Sequence, residues 1–302
     1  MKTMLVTGGT VFVSRYVAEY YVAQGYDVYV LNRNTRSQAA GVHLIQCDRN
    51  AIGNRLKHLR FDVVVDVTAY HPQDIINLVE ALDGWGDYIM ISSSAVYPEY
   101  GTQPFLEEDK VAENSFWGKY GLDKLYAEKA LLERVPDAYI LRPPYLYGPM
   151  NNVYREAFVF ECALKERPFY LPGDGSMKLQ FFHVKDLCRF IDCILEHRPD
   201  THIFNVGNRE AVSVKDWVEI CYSVAGKRPQ YVHIYDDVEQ RNYFSFYNYE
   251  YYLDVEKMHR LLPATMPLHE GLQEAYAWYI GNSDKVQRKP LISYIDEFLE
   301  RT

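Results

Sequence analysis

A tyrosine and a lysine four residues apart carry the most direct chemistry that this sequence offers. Tyr120 and Lys124 lie in a segment with helical periodicity, so both side chains are expected on one helix face. A phenol with a reference pKa of about 10 is a poor base at neutral pH, but a nearby ammonium group stabilises its phenolate form. The pair therefore predicts proton transfer to or from a substrate hydroxyl or carbonyl, with Lys124 also able to donate to a ribose hydroxyl.

Ser93 is the third candidate catalytic residue. It follows an apolar run that predicts a strand, Tyr88–Ser92, and it precedes the helix of Tyr120 along the chain. At such a strand end its hydroxyl can donate a hydrogen bond to a substrate carbonyl or a developing oxyanion. A cap at the end of the strand is the structural alternative for the same serine.

A glycine turn near the N-terminus predicts a phosphate-binding element. The apolar strand Met4–Thr7 leads into two glycines and then into a helix predicted from Ser14. Backbone N–H groups at a helix start hold a pyrophosphate where no side chain intervenes, although a purely structural turn would have the same sequence. The candidate cofactor-binding residues here are Thr7, Gly8, Gly9, Thr10, Phe12 and Val13.

Polar residues after the next two predicted strands bear on the choice of cofactor. Asn32 and Arg33 end the second strand, where an acidic residue would accept from the ribose of NAD and a cation can pair with the 2′-phosphate of NADP. Arg33 thus favours NADP(H) over NAD(H), and an exposed loop arginine is the other interpretation. Asp48 and Arg49 follow the third strand, where Asp48 would either reach an adenine amino group or cap a helix.

The elements that position these residues alternate between strands and helices. Predicted strands are Met4–Thr7, Asp27–Leu31, His43–Gln46, Asp62–Val67, Tyr88–Ser92, Ala138–Leu141 and His202–Val206, and predicted helices are Ser14–Gln24, Pro72–Leu82, Tyr120–Arg134 and Lys185–Glu196. This alternation predicts an α/β fold with a doubly wound parallel sheet of the Rossmann type.

A smaller α/β C-terminal lobe is expected beside the sheet. We predict a dinucleotide-binding domain at 1–148 plus about 201–224, and a substrate lobe at about 149–200 and 225–302. The aromatic run Tyr243–Tyr252 is expected to pack into the core of that lobe. The cleft between the two lobes is the default ligand site.

Several motifs in order along nearly the whole chain mark a family resemblance. They are Thr7-Gly-Gly-Thr10, Ser93, Tyr120 with Lys124, Leu141–Pro149, His183–Asp186, Phe204–Asn208 and Asp254–Lys257. In these the chain resembles an extended short-chain dehydrogenase/reductase of the NAD-dependent epimerase/dehydratase family. The resemblance implies a bound nicotinamide dinucleotide and a Ser-Tyr-Lys catalytic set at Ser93, Tyr120 and Lys124. It also implies cofactor contacts from Val67, Thr68, Ala69, Lys124, Pro143 and Tyr145, and a homodimer with Leu125, Ala130 and Leu131 as candidate interface residues.

The chain departs from the family pattern at both ends of the site. Val11 and Ser14 stand where family members usually have glycine, which would crowd the phosphate turn. Leu179 and Gln180 replace a usual Arg-Asp pair, so the natural partner of a diphosphate is missing. In these features the chain is similar to the chloroplast stem-loop-binding branch, some of whose members act on or bind RNA.

Composition limits the alternatives. The net charge is −9, which makes nucleic acid an unexpected partner because its binders usually carry a basic face. Five scattered cysteines form no CxxC pair, so a cytoplasmic protein without a metal site is expected. No apolar run reaches membrane-spanning length.

Taken together, the motifs and the composition predict an NAD(P)-dependent oxidoreductase or epimerase acting on a small substrate. The competing hypothesis is a non-catalytic or RNA-associated binding protein on the same fold.

Overall fold

The computed structural model describes residues 1–300, which form thirteen strands and nine α-helices. The strands are β1 (Thr3–Thr7), β2 (Asp27–Asn32), β3 (His43–Gln46), β4 (Phe61–Asp66), β5 (Trp85–Ile91), β6 (Tyr139–Arg142), β7 (Tyr145–Tyr147), β8 (Phe169–Pro172), β9 (Lys178–Leu179), β10 (Phe181–His183), β11 (Ile203–Asn205), β12 (Val212–Ser213) and β13 (Tyr231–Ile234). The helices are α1 (Phe12–Ala23), α2 (Pro72–Ala81), α3 (Gly118–Arg134), α4 (Glu156–Leu164), α5 (Val184–His197), α6 (Val214–Val224), α7 (Glu256–Leu261), α8 (Leu268–Asn282) and α9 (Leu291–Tyr294).

Seven strands form one parallel sheet in the order β11-β6-β5-β4-β1-β2-β3. These are the seven strands that the sequence predicts, so the predicted fold class is confirmed. The middle of the central strand β4, Val63–Val65, is apolar because both faces of a parallel sheet are covered by helices. The strand order reverses between β1 and β4, and this reversal opens a crevice at their carboxyl ends.

Two hydrophobic layers cover the sheet. On one face α1, α5 and α7 pack through side chains such as Val17, Leu187 and Met258. On the other face α2 and α3 pack against each other and against the sheet through Leu78 and Leu131. These layers hold the carboxyl ends of β1, β4 and β5 in place, and the candidate site residues follow those ends.

A third core, rich in aromatic side chains, forms the second lobe. In it α6 packs against α4 and α8, and the rings of Phe181 and Trp217 stack with centroids 5.5 Å apart. Phe244, Phe246 and Tyr251 from the aromatic run are buried there, as expected. No helix among residues 1–300 is both long enough and apolar enough to cross a lipid bilayer.

Candidate active site

The glycine turn between β1 and α1 is built around two residues in the left-handed region. Gly8 and Gly9 have φ angles of +91° and +88°, and a Cβ on Gly9 would lie 2.5 Å from Val30 Cγ1 on β2. Only glycine fits such a close approach to the neighbouring strand. The turn thus delivers the chain into α1, whose first N–H groups have no partner inside the helix. This cradle fits a pyrophosphate.

Val11 and Ser14, which stand where family members usually have glycine, fit into the turn, and the backbone strain lies at Phe12. Val11 is extended and Ser14 is buried, with its hydroxyl donating to the Val11 carbonyl at 3.0 Å. A Cβ on Gly8 would lie 2.8 Å from Ser14 Oγ, so the serine occupies room that Gly8 leaves. Phe12, the first residue of α1, has a φ of +37°, a conformation that costs about 1–2 kcal/mol for a residue with a side chain.

Thr7 and Arg49 both donate hydrogen bonds to the buried carboxylate of Asp66. Thr7 Oγ1 donates to Asp66 Oδ1 at 2.7 Å, Tyr88 donates to Oδ2 at 2.7 Å, and Arg49 contacts both oxygens. Burial alone would disfavour the charged carboxylate, yet Arg49 and these hydrogen bonds keep the pKa of Asp66 below its ordinary value. Asp66 therefore ties β1, β4 and β5 together beneath the crevice and does not cap α2.

The remaining candidates after β2 and β3 lie at the edge of the crevice. Asn32 donates to the Gly8 carbonyl at 2.7 Å and so braces the glycine turn, whereas Arg33 is exposed. Asp48 accepts from the backbone of Asn50 at 2.8 Å, which is the helix-cap alternative of the sequence analysis.

The loop after β4 borders the same crevice. Val67 and Thr68 line the cavity described below, and Ala69 is fully buried beneath them. Arg49 also donates to Thr68 Oγ1 at 3.1 Å, so the buried ion pair continues into this loop. The next residue, Tyr70, places its ring centroid 4.9 Å from Lys124 Nζ.

Lys124 lies on α3 with 2% of its surface exposed. Its Nζ donates to the carbonyl of Ile91, the last residue of β5, at 2.9 Å. Burial lowers the pKa of Lys124 to about 8, although the charges of Asp66 and Glu128 partly oppose that fall. Lys124 is thus held at the strand end as a cation whose proton is unusually easy to lose.

Tyr120, one turn earlier on α3, is 43% exposed, and its ring centroid lies 6.4 Å from that of Tyr70. Burial of its hydroxyl end raises its pKa, while a hydrogen bond with Ser93 and the charge of Arg155 act in the opposite direction. Ser93 Oγ also accepts from the backbone of Ala95 at 3.2 Å, so this serine both caps the turn after β5 and reaches the phenol.

A buried network supports these groups from below. Glu128, one turn after Lys124, pairs with Arg142 at 2.7 Å and accepts from Ser92. Arg142 in turn donates to the hydroxyl of Tyr97 at 2.9 Å. Since the network joins α3 to the ends of β5 and β6, it fixes the distance between the helix that carries Tyr120 and the strand that carries Ser93.

One cavity of about 670 Å³ joins the turn to the catalytic candidates. Of the predicted residues, Gly8, Thr10, Phe12, Val13, Val67, Thr68, Ser93, Tyr120, Lys124, Pro143 and Tyr145 line it. Thr7, Gly9, Asn32, Arg33, Asp48, Arg49 and Ala69 do not line it. Within residues 1–300, no group of His, Cys, Asp and Glu residues is arranged to hold a metal ion.

Sequence reasoning missed the far wall of this cavity. Arg155, Arg241, Tyr247 and Tyr251 line it from the second lobe, and Trp117 lines it from the residue before α3. The aromatic run supplied a signal for the two tyrosines, but nothing in the spacing pointed to the two arginines. His183, from the His183–Asp186 motif, does not line the cavity: it is fully buried, accepts from the backbone of Lys185 at 3.3 Å, and has its pKa lowered to about 4 by burial.

This combination of a parallel sheet, a glycine turn at its switch point and a cavity beside it defines a Rossmann-type dinucleotide-binding protein. The family model described as the NAD dependent epimerase/dehydratase family matches residues 4–207. The chain belongs to this family.

Curated relatives cover most of the chain at low identity. The chain is 27% identical to the chloroplast stem-loop binding protein of 41 kDa b from Arabidopsis thaliana, over 91% of this chain and 78% of the relative. It is 26% identical to a dTDP-4-dehydro-6-deoxy-D-allose reductase from a Streptomyces species, over 92% and 96%. The chain is thus similar both to a protein named for stem-loop binding and to one named as a reductase.

Solved structures share the fold. A dTDP-glucose 4,6-dehydratase from Bacillus anthracis in complex with NAD superposes with a TM-score of 0.73 and 22% identity, covering 96% of this chain and all of that one. The UDP-glucuronic acid 4-epimerase from Bacillus cereus, in complex with UDP-glucuronic acid and NAD, gives a TM-score of 0.73 and 20% identity, covering 92% of this chain and 99% of that one.

Proposed function

We propose that this protein is an NAD(P)-dependent oxidoreductase or epimerase that acts on a hydroxyl or carbonyl of a small, sugar-like substrate through Ser93, Tyr120 and Lys124. The observation that carries the proposal is the single cavity that runs from the glycine turn to these three side chains. Relatives named for sugar reduction and epimerisation support the same substrate class.

The residues at the glycine turn fit a dinucleotide. The φ angles of Gly8 and Gly9 and the missing side chain at Gly9 shape a backbone cradle at the start of α1, where the helix dipole favours an anion. A nicotinamide dinucleotide bound there supplies the hydride acceptor or donor. In this proposal Lys124 would donate to its ribose, and Thr10, Phe12 and Val13 line the same cavity.

Tyr120 is the proton-transfer residue in this proposal. A phenol is ordinarily protonated at neutral pH and can donate to a substrate carbonyl oxygen, and the burial that raises the pKa of Tyr120 favours this protonated form. In the reverse direction the hydrogen bond from Ser93 and the positive charge of Arg155 stabilise the phenolate that accepts the hydroxyl proton. Ser93 also positions the substrate oxygen beside Tyr120.

Epimerisation and dehydrogenation would both use the same transfer of the substrate hydroxyl proton to Tyr120, so the residues of this site suit either net reaction.

We also propose that NADP(H) is preferred. The exposed Arg33 at the end of β2 has no ion-pair partner among residues 1–300 and is free to meet a 2′-phosphate. Arg33→Ala is then expected to lose affinity for NADP⁺ and keep that for NAD⁺. If the substitution left the affinities for NADP⁺ and NAD⁺ both unchanged, Arg33 would be an exposed loop residue with no role in cofactor choice.

We also propose a cytoplasmic location and a homodimer. The scattered cysteines support the location, and the family resemblance supports the dimer. Leu125, Ala130 and Leu131 are however buried in the chain's own core, at 4%, 7% and 0% exposure, so this packing accounts for their apolar character without a partner.

Replacing the phenol tests the catalytic role. Tyr120→Phe is expected to lower turnover of a nucleotide sugar about 10²–10⁴-fold, because it removes the acid–base group and keeps the ring. Turnover would be followed by cofactor absorbance and by chromatography of the sugar. Tyr126→Phe is the matched control, since Tyr126 lies on the same helix and is 46% exposed. Equal activity of the two variants would exclude Tyr120 from the chemistry.

RNA binding is the second candidate function, favoured by the name of the Arabidopsis relative. An acidic chain with a net charge of −9 opposes it. Titration with a stem-loop RNA at two salt concentrations distinguishes the two functions, because affinity that rests on phosphate contacts falls steeply as salt rises.

A further inference from the structure

Tyr70, in the loop after β4, lies beside two of the three catalytic candidates. Its ring centroid is 4.9 Å from Lys124 Nζ and 6.4 Å from the ring centroid of Tyr120, and all three residues line the catalytic cavity. Burial raises the pKa of Tyr120, and the neighbouring phenol of Tyr70 adds to that rise. None of the sequence motifs includes Tyr70, so its place beside these side chains follows from the fold alone.

The ammonium group of Lys124 has few other partners. An ammonium carries three N–H donors, and Nζ makes one hydrogen bond within residues 1–300, to the Ile91 carbonyl at 2.9 Å. None of the ion pairs in this part of the chain involves Lys124. The side chain is 2% exposed, so water replaces little of what is missing. The aromatic face of Tyr70 is therefore a main contact that stabilises the positive charge.

The charged groups around the lysine are engaged with one another or with further partners. Those that act on Lys124 from the elements packed around it are Asp66 of β4, Asp74 of α2, Glu128 of α3 and Arg49 of the turn after β3. Asp66 and Asp74 both pair with Arg49, and Glu128 pairs with Arg142 at 2.7 Å. The attraction of the carboxylates for Lys124 is smaller than the cost of burial, which lowers the pKa of Lys124 to about 8.

The loop fastens Tyr70 beside the lysine at two points. The carboxylate of Asp74, in the first turn of α2, accepts from the backbone N–H groups of Tyr70 at 2.8 Å and of His71 at 2.9 Å. His71 Nδ1 lies 3.0 Å from the carboxylate of Asp123, the residue before Lys124 on α3. The loop is thus tied both to α2 and to the helix that carries the lysine, so the ring is held in place before any ligand binds.

We propose that Tyr70 is a positioning residue, which keeps the ammonium group of Lys124 charged and fixed in the cavity through the face of its ring. The proposal rests on the proposed function, in which that ammonium donates to the cofactor ribose. The negative face of an aromatic ring attracts the cation without taking an N–H group in a conventional hydrogen bond, so the donors that Ile91 does not use remain for a ligand. Leucine in place of Tyr70 removes this attraction and keeps an apolar side chain, whereas phenylalanine keeps the ring.

The pKa of Lys124 tests the proposal in protein without cofactor or substrate. It is measured by NMR on the full chain with an isotopic label at lysine Cε, and the signal is assigned by its loss in Lys124→Met. Tyr70→Leu is expected to lower that pKa by about one unit, a roughly tenfold loss of proton affinity, and Tyr70→Phe to leave it unchanged. An unchanged or raised pKa in Tyr70→Leu would overturn the proposal. An equal fall in Tyr70→Phe would do the same, because the hydroxyl and not the ring would then be responsible.

A second lysine–tyrosine pair on α3 provides the matched control. Lys129 Nζ lies 5.5 Å from the ring centroid of Tyr126, and both side chains are exposed. Tyr126→Leu should therefore change the pKa of Lys129 by less than Tyr70→Leu changes that of Lys124, because water solvates the exposed ammonium. A change of equal size in both pairs would show that burial gives the ring of Tyr70 no special effect, and would count against the proposal.

The pH profile of turnover gives a second readout. Tyr70→Leu should move the alkaline limb of kcat/KM to lower pH by about one unit, whereas a side chain that only supports the fold would lower kcat/KM equally at every pH. An unmoved limb would overturn the positioning role. The NMR titration needs no cofactor, so absence of turnover in the wild type would count against the proposed function and leave the contact between Tyr70 and Lys124 to be decided by the titration.

Discussion

At the residue scale, Lys124 is an ionisable group held where its charge is disfavoured. It is 2% exposed, and its contacts to the Ile91 carbonyl and the Tyr70 ring do not offset the loss of water, because its pKa falls to about 8. A buried cation kept at such a cost is typical of functional sites, although structural networks also shift pKa values. The protonated form is the one that we expect to hold a ribose.

The pKa of Lys124 sets a pH dependence of stability. Between pH 8 and 10.5 the unfolded chain keeps a proton on this lysine that the folded protein has lost, so the free energy of unfolding rises with pH through this group. Lys124→Met should lack that rise, which is on the order of 2–3 kcal/mol. Denaturant unfolding of both proteins from pH 7 to 10.5 measures it.

The control for this experiment lies on the same helix. Lys129 is exposed, so Lys129→Met is expected to follow the wild-type pH curve. If Lys124→Met showed the same slope as wild type and Lys129→Met, the lysine would have an ordinary pKa in the folded protein.

The four-residue helical interval predicts that Tyr120 and Lys124 emerge on one helix face, and the strand end before Ser93, together with the family resemblance, adds the third residue of the predicted set. The same reasoning could not place Arg49. Its partner Asp66 is 17 residues away and belongs to another strand, so the ion pair depends on how β4 packs beside β1.

At the element scale, the turn from β1 to α1 depends on a close approach between Gly9 and β2. Gly9→Ala adds both an unfavourable positive φ and a clash with Val30, whereas Gly25, with a φ of +82°, has no atom near its Cβ position. Gly25→Ala is expected to cost about 1–2 kcal/mol, and Gly9→Ala about 1–3 kcal/mol more. Chemical denaturation measures both losses.

A second substitution makes this prediction specific. Val30→Ala in the Gly9→Ala background removes the Cγ1 atom 2.5 Å from the new Cβ and leaves the Val30 Cβ at 2.8 Å, so it should recover part of the extra loss, together with cofactor affinity. Equal stability of Gly9→Ala and Gly25→Ala would show that the turn tolerates a side chain facing β2.

The seven strands of the parallel sheet and four helices along the chain were predictable, because alternating apolar runs and helical periodicity are strong local signals. The helix of Ser14 begins two residues earlier than predicted, since Phe12 enters it through a positive φ that no propensity would suggest. The six strands outside this sheet, β7, β8, β9, β10, β12 and β13, were not predicted, because they have only two to four residues each and do not alternate with helices.

At the scale of the whole molecule, the cavity is made by parts of the chain that are far apart in sequence. Gly8 and Tyr120 come from the sheet side, while Arg155 and Arg241 come from the second lobe. Sequence patterns locate residues within one element, whereas the far wall depends on how the aromatic core docks onto the sheet. The division into 1–148 plus about 201–224 and the remaining stretches stays a prediction.

Calorimetric titration of NAD⁺, NADP⁺, NADH and NADPH into the purified protein tests the central claim most directly. The cradle at Gly8 and Gly9, continuous with the cavity of Tyr120 and Lys124, predicts micromolar binding of at least one of the four. Failure of all four to bind would mean that Val11 and Ser14 have closed the phosphate turn, and it would contradict the assignment of redox chemistry to this site.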